Sequence, residues 1–272
     1  MADRNDFNRV DIAFVVDVTG SMGSFLSAAK ANIRNMLDTF AKQRGVDIRA
    51  GLVEYQDFCD EHSSFMIRKQ MLTHDLEKVH KAIANMSPGG GGDIPEAVYD
   101  GVEAAATLRW DDRSVKVAVL VGDAPPHATA AHITDPKEKT SRHRAMRGDS
   151  LVDGSPSGVT LHTCTAAMED KGVTVFAIVV SGCQVTLACF EEIASFTGGQ
   201  AFMAGDGSAI KQIGKALSME LDQMDLDWQI YEAMQEIGCA DVREVSASTG
   251  FAEHLVATSA ARLAKRGFTV GE

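Results

Sequence analysis

Residues 10–22 read Val10-Asp-Ile-Ala-Phe-Val-Val-Asp17-Val-Thr19-Gly-Ser21-Met22. The run from Ile12 to Val16 is continuously apolar, as expected of a strand buried on both faces of a parallel sheet. It stops at Asp17, and hydroxyls follow at Thr19 and Ser21. A carboxylate and two hydroxyls at alternate positions beyond a buried strand are hard oxygen donors of the kind Mg²⁺ and Ca²⁺ prefer. The bland alternative is an Asp/Ser-rich strand-to-helix turn with Ser24 as the helix N-cap.

Working outward, strand and helix patterns alternate. Strands are expected at 10–17, 47–55, 65–72, 115–122, 173–180 and 200–204, each rich in Val, Ile, Phe or Met and bounded by Gly, Asp or Pro. Helices are expected at 24–43, 75–86, 95–109, 159–171, 187–197 and 208–236. In the first, Phe25, Ala28, Ala29, Ile33, Met36, Leu37 and Phe40 fall at helical spacing. The alternation predicts an α/β fold, with a mostly parallel sheet of six strands covered on both faces. Between 47–55 and 65–72 no helix intervenes, so that pair reads as a hairpin and one edge strand should be antiparallel.

Two regions break the rhythm. Residues 127–158 form a polar insertion containing Pro, Gly and Ser, too long for an ordinary connection and expected to be functional or mobile. Beyond residue 220 the pattern stays helical, with breaks suggested at Gly250 and Gly267. The expected organisation is therefore one domain over 1–219 and a helical C-terminal extension over 220–272. The extension's apolar positions Phe251, Leu255, Val256 and Leu263 need a surface to cover.

The formal net charge of −12 argues against nucleic acid, whose binding depends on phosphate neutralisation. No apolar run reaches the roughly 18 residues that span a bilayer, and the N-terminus lacks a secretory pattern. Five scattered cysteines without a C-x-x-C pair argue against structural zinc and for reduced thiols. Cys164, Cys183 and Cys189 read as small apolar core residues. A cytoplasmic location is expected.

In an open parallel sheet, ligands gather beyond the carboxyl ends of the strands at the topological switch point. Three segments should converge there: Asp17 to Ser21, the run Gly89-Gly-Gly-Gly-Asp93-Ile-Pro-Glu96-Ala-Val98, and Val117 to His127, in which Asp123 ends a second buried strand. The Asp93-Ile-Pro-Glu96 spacing also fits a capping box, with Asp93 as N-cap. The glycines permit tight turns. No Gly-Lys-Ser/Thr follows them, which argues against a nucleotide-triphosphate loop. Asp57, Asp60 and Glu61 lie on the expected hairpin turn near the same end and read as a solvated turn. His127, His132, His143 and His162 are spaced by five, eleven and nineteen residues, which pairs none of them on a helix face. Arg142 to Arg147 is a basic island on an acidic chain, and Arg147-Gly148-Asp149 reads as a coincidental tripeptide.

These three motifs, in this order, resemble the von Willebrand factor A family and the loops of its metal-ion-dependent adhesion site. The resemblance covers roughly 10–215. It is strongest to the branch that includes A domains beside atypical α-kinases, in hemicentins and in bacterial proteins. It implies a Rossmann-like, doubly wound fold. It further implies a divalent cation, Mg²⁺ or alternatively Ca²⁺ or Mn²⁺, on Asp17, Thr19, Ser21 and Asp123. Asp93 stands near the position where the family usually carries threonine, as a candidate fifth ligand. With two carboxylates the loaded site is formally neutral and ready for a partner's carboxylate; a third would make it −1. The implied function is a non-catalytic, metal-dependent protein-interaction module, completed by a partner's acidic side chain. The resemblance places it as a regulatory or adaptor component of an intracellular bacterial system, with an AAA-type ATPase or a neighbouring effector as partner and no role at a membrane. Nothing resembles the α-kinase catalytic domain. The reading from a different class is a Mg²⁺-dependent hydrolase or phosphotransfer enzyme using Asp17, Asp123 and His127 as general base.

Overall fold

The computed structural model describes residues 4–42, 46–60, 64–92, 94–128, 153–204 and 208–269. After a short α1 (Arg4–Phe7), the chain runs β1 (Arg9–Asp17), α2 (Leu26–Ala41), β2 (Asp47–Tyr55), β3 (Ile67–Thr73), α3 (Leu76–Asn85), α4 (Val98–Ala106) and β4 (Val115–Gly122). It continues with α5 (Leu161–Asp170), β5 (Val173–Val179), α6 (Gln184–Phe196), β6 (Ala201–Met203), α7 (Ser208–Ile237), α8 (Val242–Thr249) and α9 (Glu253–Lys265). The six strands lie in the order β3-β2-β1-β4-β5-β6. Every pairing is parallel except β2 with β3, which is antiparallel at the edge. The cross-strand pair Glu54–Arg68 holds that edge in register, with Arg68 Nε donating to Glu54 Oε1 at 2.8 Å.

β1 shows why an unbroken apolar run was needed. Ile12, Phe14 and Val16 enter one core layer with residues of α2 and α3, among them Ile33, Leu37 and Ile83. Ala13 and Val15 enter the opposite layer with Val98, Val102, Met168 and Phe190 of α4, α5 and α6. Successive side chains point to opposite faces, so a strand covered on both must be apolar at every position. Asp11 is the exception near the amino end of β1. It is 1% exposed and accepts from Arg49 Nε at 2.8 Å and from the Asp111 backbone N–H at 2.7 Å, which offsets its burial.

Beyond the sheet, one uninterrupted helix, α7, carries the chain across residues 219 and 220. Ile230, Tyr231 and Met234 of α7 form a further apolar cluster with Val245 of α8, Val256 and Leu263 of α9, and Phe268. Phe7 completes it from the other end of the chain, 4.2 Å from the Phe268 ring centroid in a stacked arrangement. Of the extension's four singled-out apolar positions, Val256 and Leu263 are buried and Phe251 is partly so. Leu255, by contrast, is 38% exposed. Gly250 and Gly267 both adopt positive φ, where α8 and α9 end.

The helices begin where local chemistry allows. α2 starts after a 3₁₀ turn over Gly20–Ser24, with Phe25 at its cap, so Ser24 caps nothing. α4 begins at Val98 with Ala97 as N-cap; Asp93, read from the sequence as a possible N-cap, lies outside the described residues. Most of the insertion 127–158 lies outside the described residues. So do His132, His143, the Arg142 to Arg147 island and the Arg147-Gly148-Asp149 tripeptide. His162 is exposed and meets the Phe196 ring edge-on at 5.4 Å between centroids.

Candidate metal centre

β1 and β4 are adjacent at the middle of the sheet, where the strand order reverses direction. Their carboxyl ends deliver Asp17 and Asp123 to the same place. The two are joined by a chain of hydrogen bonds through the first loop. Thr19 donates to Asp17 Oδ1 from its backbone N–H at 2.8 Å and from Oγ1 at 2.7 Å. Thr19 Oγ1 lies 3.1 Å from Ser21 Oγ, which donates to Asp123 Oδ1 at 2.8 Å. Four of the five sequence candidates therefore converge; the fifth, Asp93, lies outside the described residues. Asp17 and Thr19 are fully buried and Asp123 is 3% exposed, whereas Ser21 faces solvent. The constellation is a buried acidic floor with one open side.

The backbone around it is tied loop to loop. The Gly20 N–H donates to Gly90 O at 3.1 Å and the Gly89 N–H to Val18 O at 3.0 Å, stitching the glycine run to the first loop. Gln56 donates from Nε2 to Gly89 O at 2.8 Å. Beneath the run lies Asp60, whose Oδ2 accepts from the Gly91 N–H at 2.8 Å. Gly90 has φ +71° and passes so close that a Cβ there would sit 2.3 Å from the Asp60 carboxylate. Only glycine meets both conditions. Ser181 donates to Asp123 O at 2.7 Å and fixes the third loop from behind.

This geometry corrects the reading of the hairpin turn as solvated. Asp57 and Asp60 are 3% and 5% exposed. Asp60 anchors the glycine run, and Asp57 Oδ1 lies 2.8 Å from His127 Nε2. Glu61 lies outside the described residues. The ring of His127, the candidate base, is thus held by a buried carboxylate and packs edge-on against Phe58 at 5.5 Å.

Glu96 is the residue whose part the sequence hid, because its spacing from Asp93 looked like a helix cap. It is 2% exposed, and its backbone N–H donates to Pro125 O at 3.0 Å, bridging the second and third loops. Burial pushes its carboxyl up to about 10, helped by the charges of Asp17 and Asp57, with the nearby Thr19 hydroxyl opposing. The shift favours the neutral form of Glu96. Burial likewise raises Asp17 to about 7, against the two Thr19 hydrogen bonds and assisted by Asp123.

Three features fit a hard divalent cation. The donor set is carboxylate and hydroxyl oxygen. The second oxygen of Asp17, Oδ2, is buried without a hydrogen-bond partner, as is Glu96 Oε2. Acidic side chains raise one another's pKa across a small buried volume, a cost that positive charge relieves. Among the described residues there is no group of three or more His, Cys, Asp or Glu side chains that could hold a metal ion.

Comparison with known proteins agrees with the fold. The model of the von Willebrand factor type A domain matches residues 11–216. "Alpha-protein kinase vwkA" of Dictyostelium discoideum is 30% identical over 153 residues, 56% of this chain and 22% of that protein. "Putative ariadne-like RING finger protein R811" of Acanthamoeba polyphaga mimivirus is 30% identical over 118 residues, 43% of this chain and 11% of that protein. The chain thus spans about a fifth and a tenth of these relatives' lengths. Among solved structures, the pilus adhesin SpaC of Lactobacillus rhamnosus GG superposes with a TM-score of 0.55 at 14% identity, covering 79% of this chain and 30% of SpaC. Proximal thread matrix protein 1 of the mussel byssus gives 0.51 at 18% identity, covering 79% and 46%. At such identities the two structures speak to the fold alone. With a family match running over residues 11–216, on a sheet whose central strands end at Asp17 and just before Asp123, this chain belongs to the von Willebrand factor type A domain family.

Proposed function

We propose that this chain is a metal-dependent protein-interaction module in which Asp17, Thr19, Ser21 and Asp123 hold one divalent cation, with Asp93 as a further ligand. Domains of this family are generally protein-interaction modules and mostly non-catalytic. The cation is Mg²⁺, with Ca²⁺ and Mn²⁺ as alternatives; when bound it supplies a Lewis-acidic point for an acidic side chain of the partner. The single observation that carries the reading is the hydrogen-bonded chain from Asp17 through Thr19 and Ser21 to Asp123, with Asp17 Oδ2 buried and unpartnered beside it.

The protein's own residues divide the work. Asp17 and Asp123 supply the negative charge. Thr19 and Ser21 supply neutral oxygen, which leaves the cation electron-poor. Gly90 and Asp60 hold the glycine run against the first loop, and Glu96 links the second loop to the third. The exposed Ser21 side is where a partner carboxylate can approach. The chain's net charge of −12 disfavours nucleic acid as that partner. Among the described residues no helix is long and apolar enough to cross a membrane. We place the module in the cytoplasm, as a regulatory or adaptor component serving an AAA-type ATPase or a similar effector of a bacterial system.

The test is calorimetric titration of Mg²⁺, Mn²⁺ and Ca²⁺ into the wild type and Asp17→Ala, followed by partner capture in Mg²⁺ and in EDTA. One cation per chain, lost in Asp17→Ala, with capture that needs both the cation and Asp17, supports the proposal. Equal cation binding by the two proteins removes it.

A further inference from the structure

At the opposite end of the sheet from Asp17 and Asp123, a cleft of about 800 Å³ separates the amino-terminal ends of β4 and β5 from α7 and α9. Its volume is within the usual range of small-molecule sites, about 300–1,000 Å³. The walls are of two kinds. Trp110, Val117, Phe176 and Met224 give it an apolar side. Six cations also line it, Arg109, Lys116, Lys171, Arg262, Lys265 and Arg266, against three carboxylates, Asp112, Asp170 and Asp227. This excess of positive charge stands on a chain whose net charge is −12.

The carboxylates cancel only part of it: Asp227 pairs with Arg262, whose Nε donates to it at 3.1 Å, and also accepts from Ser259 Oγ at 2.6 Å, which leaves five cations against Asp112 and Asp170. Arg266 spends donors on main-chain carbonyls, Arg113 O at 2.8 Å and Phe7 O at 3.2 Å. Lys116 is the unusual member. It is 9% exposed, and its Nζ donates to the backbone carbonyl of Asp112 at 3.1 Å. Burial lowers the pKa of that ammonium, against the fields of Asp112, Asp11 and Asp111. At the rim, the Lys265 side chain of α9 crosses the α5–β5 turn, with its Cε 3.2 Å from where Gly172 would carry a Cβ, beside Lys171. Lys171 and Lys265 make no ion pair among the described residues.

The cleft thus holds a buried lysine at its floor, partly compensated by Asp112, Asp11 and Asp111, and two more lysines brought to its rim from separate parts of the chain without an ion pair among the described residues, a cluster of positive charge that an anion would stabilise. The apolar wall adds surface that an inorganic anion would leave uncovered. We infer that this cleft binds a small phosphorylated organic molecule, its phosphate toward Lys116, Lys171 and Lys265 and its organic body against Trp110, Phe176 and Met224. Such a ligand would touch both the sheet and the C-terminal helices, and so would tighten the seam between them.

The experiment is calorimetry and thermal shift on the full chain in EDTA, so that the Asp17 site takes no part. The probes are AMP, ATP, glucose 6-phosphate, inorganic phosphate and a hexaglutamate peptide. Expected is binding of at least one organic phosphate in the micromolar range, tighter than inorganic phosphate. Lys265→Glu and Lys116→Met should each weaken it tenfold or more, and Asp17→Ala should leave it unchanged. Lys265 is exposed, so its variant keeps the test decisive even if Lys116→Met fails to fold. The inference is overturned if no organic phosphate binds below about 1 mM. It is equally overturned if inorganic phosphate or hexaglutamate binds as well as the organic phosphates, or if Lys265→Glu binds like the wild type.

Discussion

Replacing Asp17 with asparagine separates the cost of the buried carboxylate from its use. Asp17 is fully buried, and its carboxyl is raised from 3.8 to about 7. A raised carboxyl favours the protonated form in the folded state, so its contribution to stability is present below pH 3.8 and is lost as pH rises through about 7. Three pKa units correspond to about 4 kcal/mol by pH 8 in metal-free protein. Asparagine keeps Oδ1 as acceptor for both Thr19 donors, at 2.8 and 2.7 Å. It replaces the unpartnered Oδ2 with a buried N–H₂, whose unmet donors cost about 1–3 kcal/mol. The net effect is a gain of about 2 kcal/mol at pH 8 in EDTA, a rise on the order of 5 °C in melting temperature. By the same arithmetic the sign should reverse at pH 4, where the wild-type carboxyl costs little and the unmet N–H₂ of the variant still costs about 1–3 kcal/mol. Mg²⁺ at a hundred times its Kd should stabilise the wild type by about 2.7 kcal/mol and leave the variant unmoved. Differential scanning calorimetry of both proteins at pH 4 and 8, with EDTA or Mg²⁺, gives all the needed numbers. The reasoning fails if the variant melts below the wild type at pH 8 in EDTA, or if Mg²⁺ raises its melting temperature.

Gly90→Ala should destabilise the fold by about 2–4 kcal/mol in urea titration and weaken Mg²⁺ binding, because φ is +71° and a Cβ meets the Asp60 carboxylate at 2.3 Å. Gly158→Ala, at φ +86° with nothing within 4 Å, should cost only about 1 kcal/mol; equal losses would discredit the steric account. Because α4 begins at Val98, Asp93→Ser should leave the melting temperature in EDTA unchanged while lowering Mg²⁺ affinity, and an unchanged affinity would exclude Asp93 as a ligand. Removing residues 240–272 should uncover Ile230, Tyr231 and Met234 and cause aggregation, read by light scattering; a soluble, monomeric product would make α8 and α9 dispensable.

What could be read from the chain alone was whatever local pattern carries. The doubly buried run from Ile12 to Val16, its stop at Asp17 and the matching run ending at Asp123 foretold two central strands delivering carboxylates to one edge. The missing helix before residue 65 foretold the antiparallel β3. These hold because an unbroken apolar run and the length of a connection can be read from near neighbours in sequence. What the tertiary structure decided was burial and pairing between distant segments. Glu96 looks like a cap residue until Pro125 and Asp17 are brought beside it, and only then is its carboxyl buried and pushed toward its neutral form. Asp57 and Asp60 look like turn residues until His127, seventy positions away, and the glycine run close over them. The cationic cleft likewise exists only because α9 folds back to set Lys265 over Gly172. A side chain's ionisation depends on the dielectric and the charges around it, and those are set by the packing of the whole chain rather than by the residues beside it in sequence.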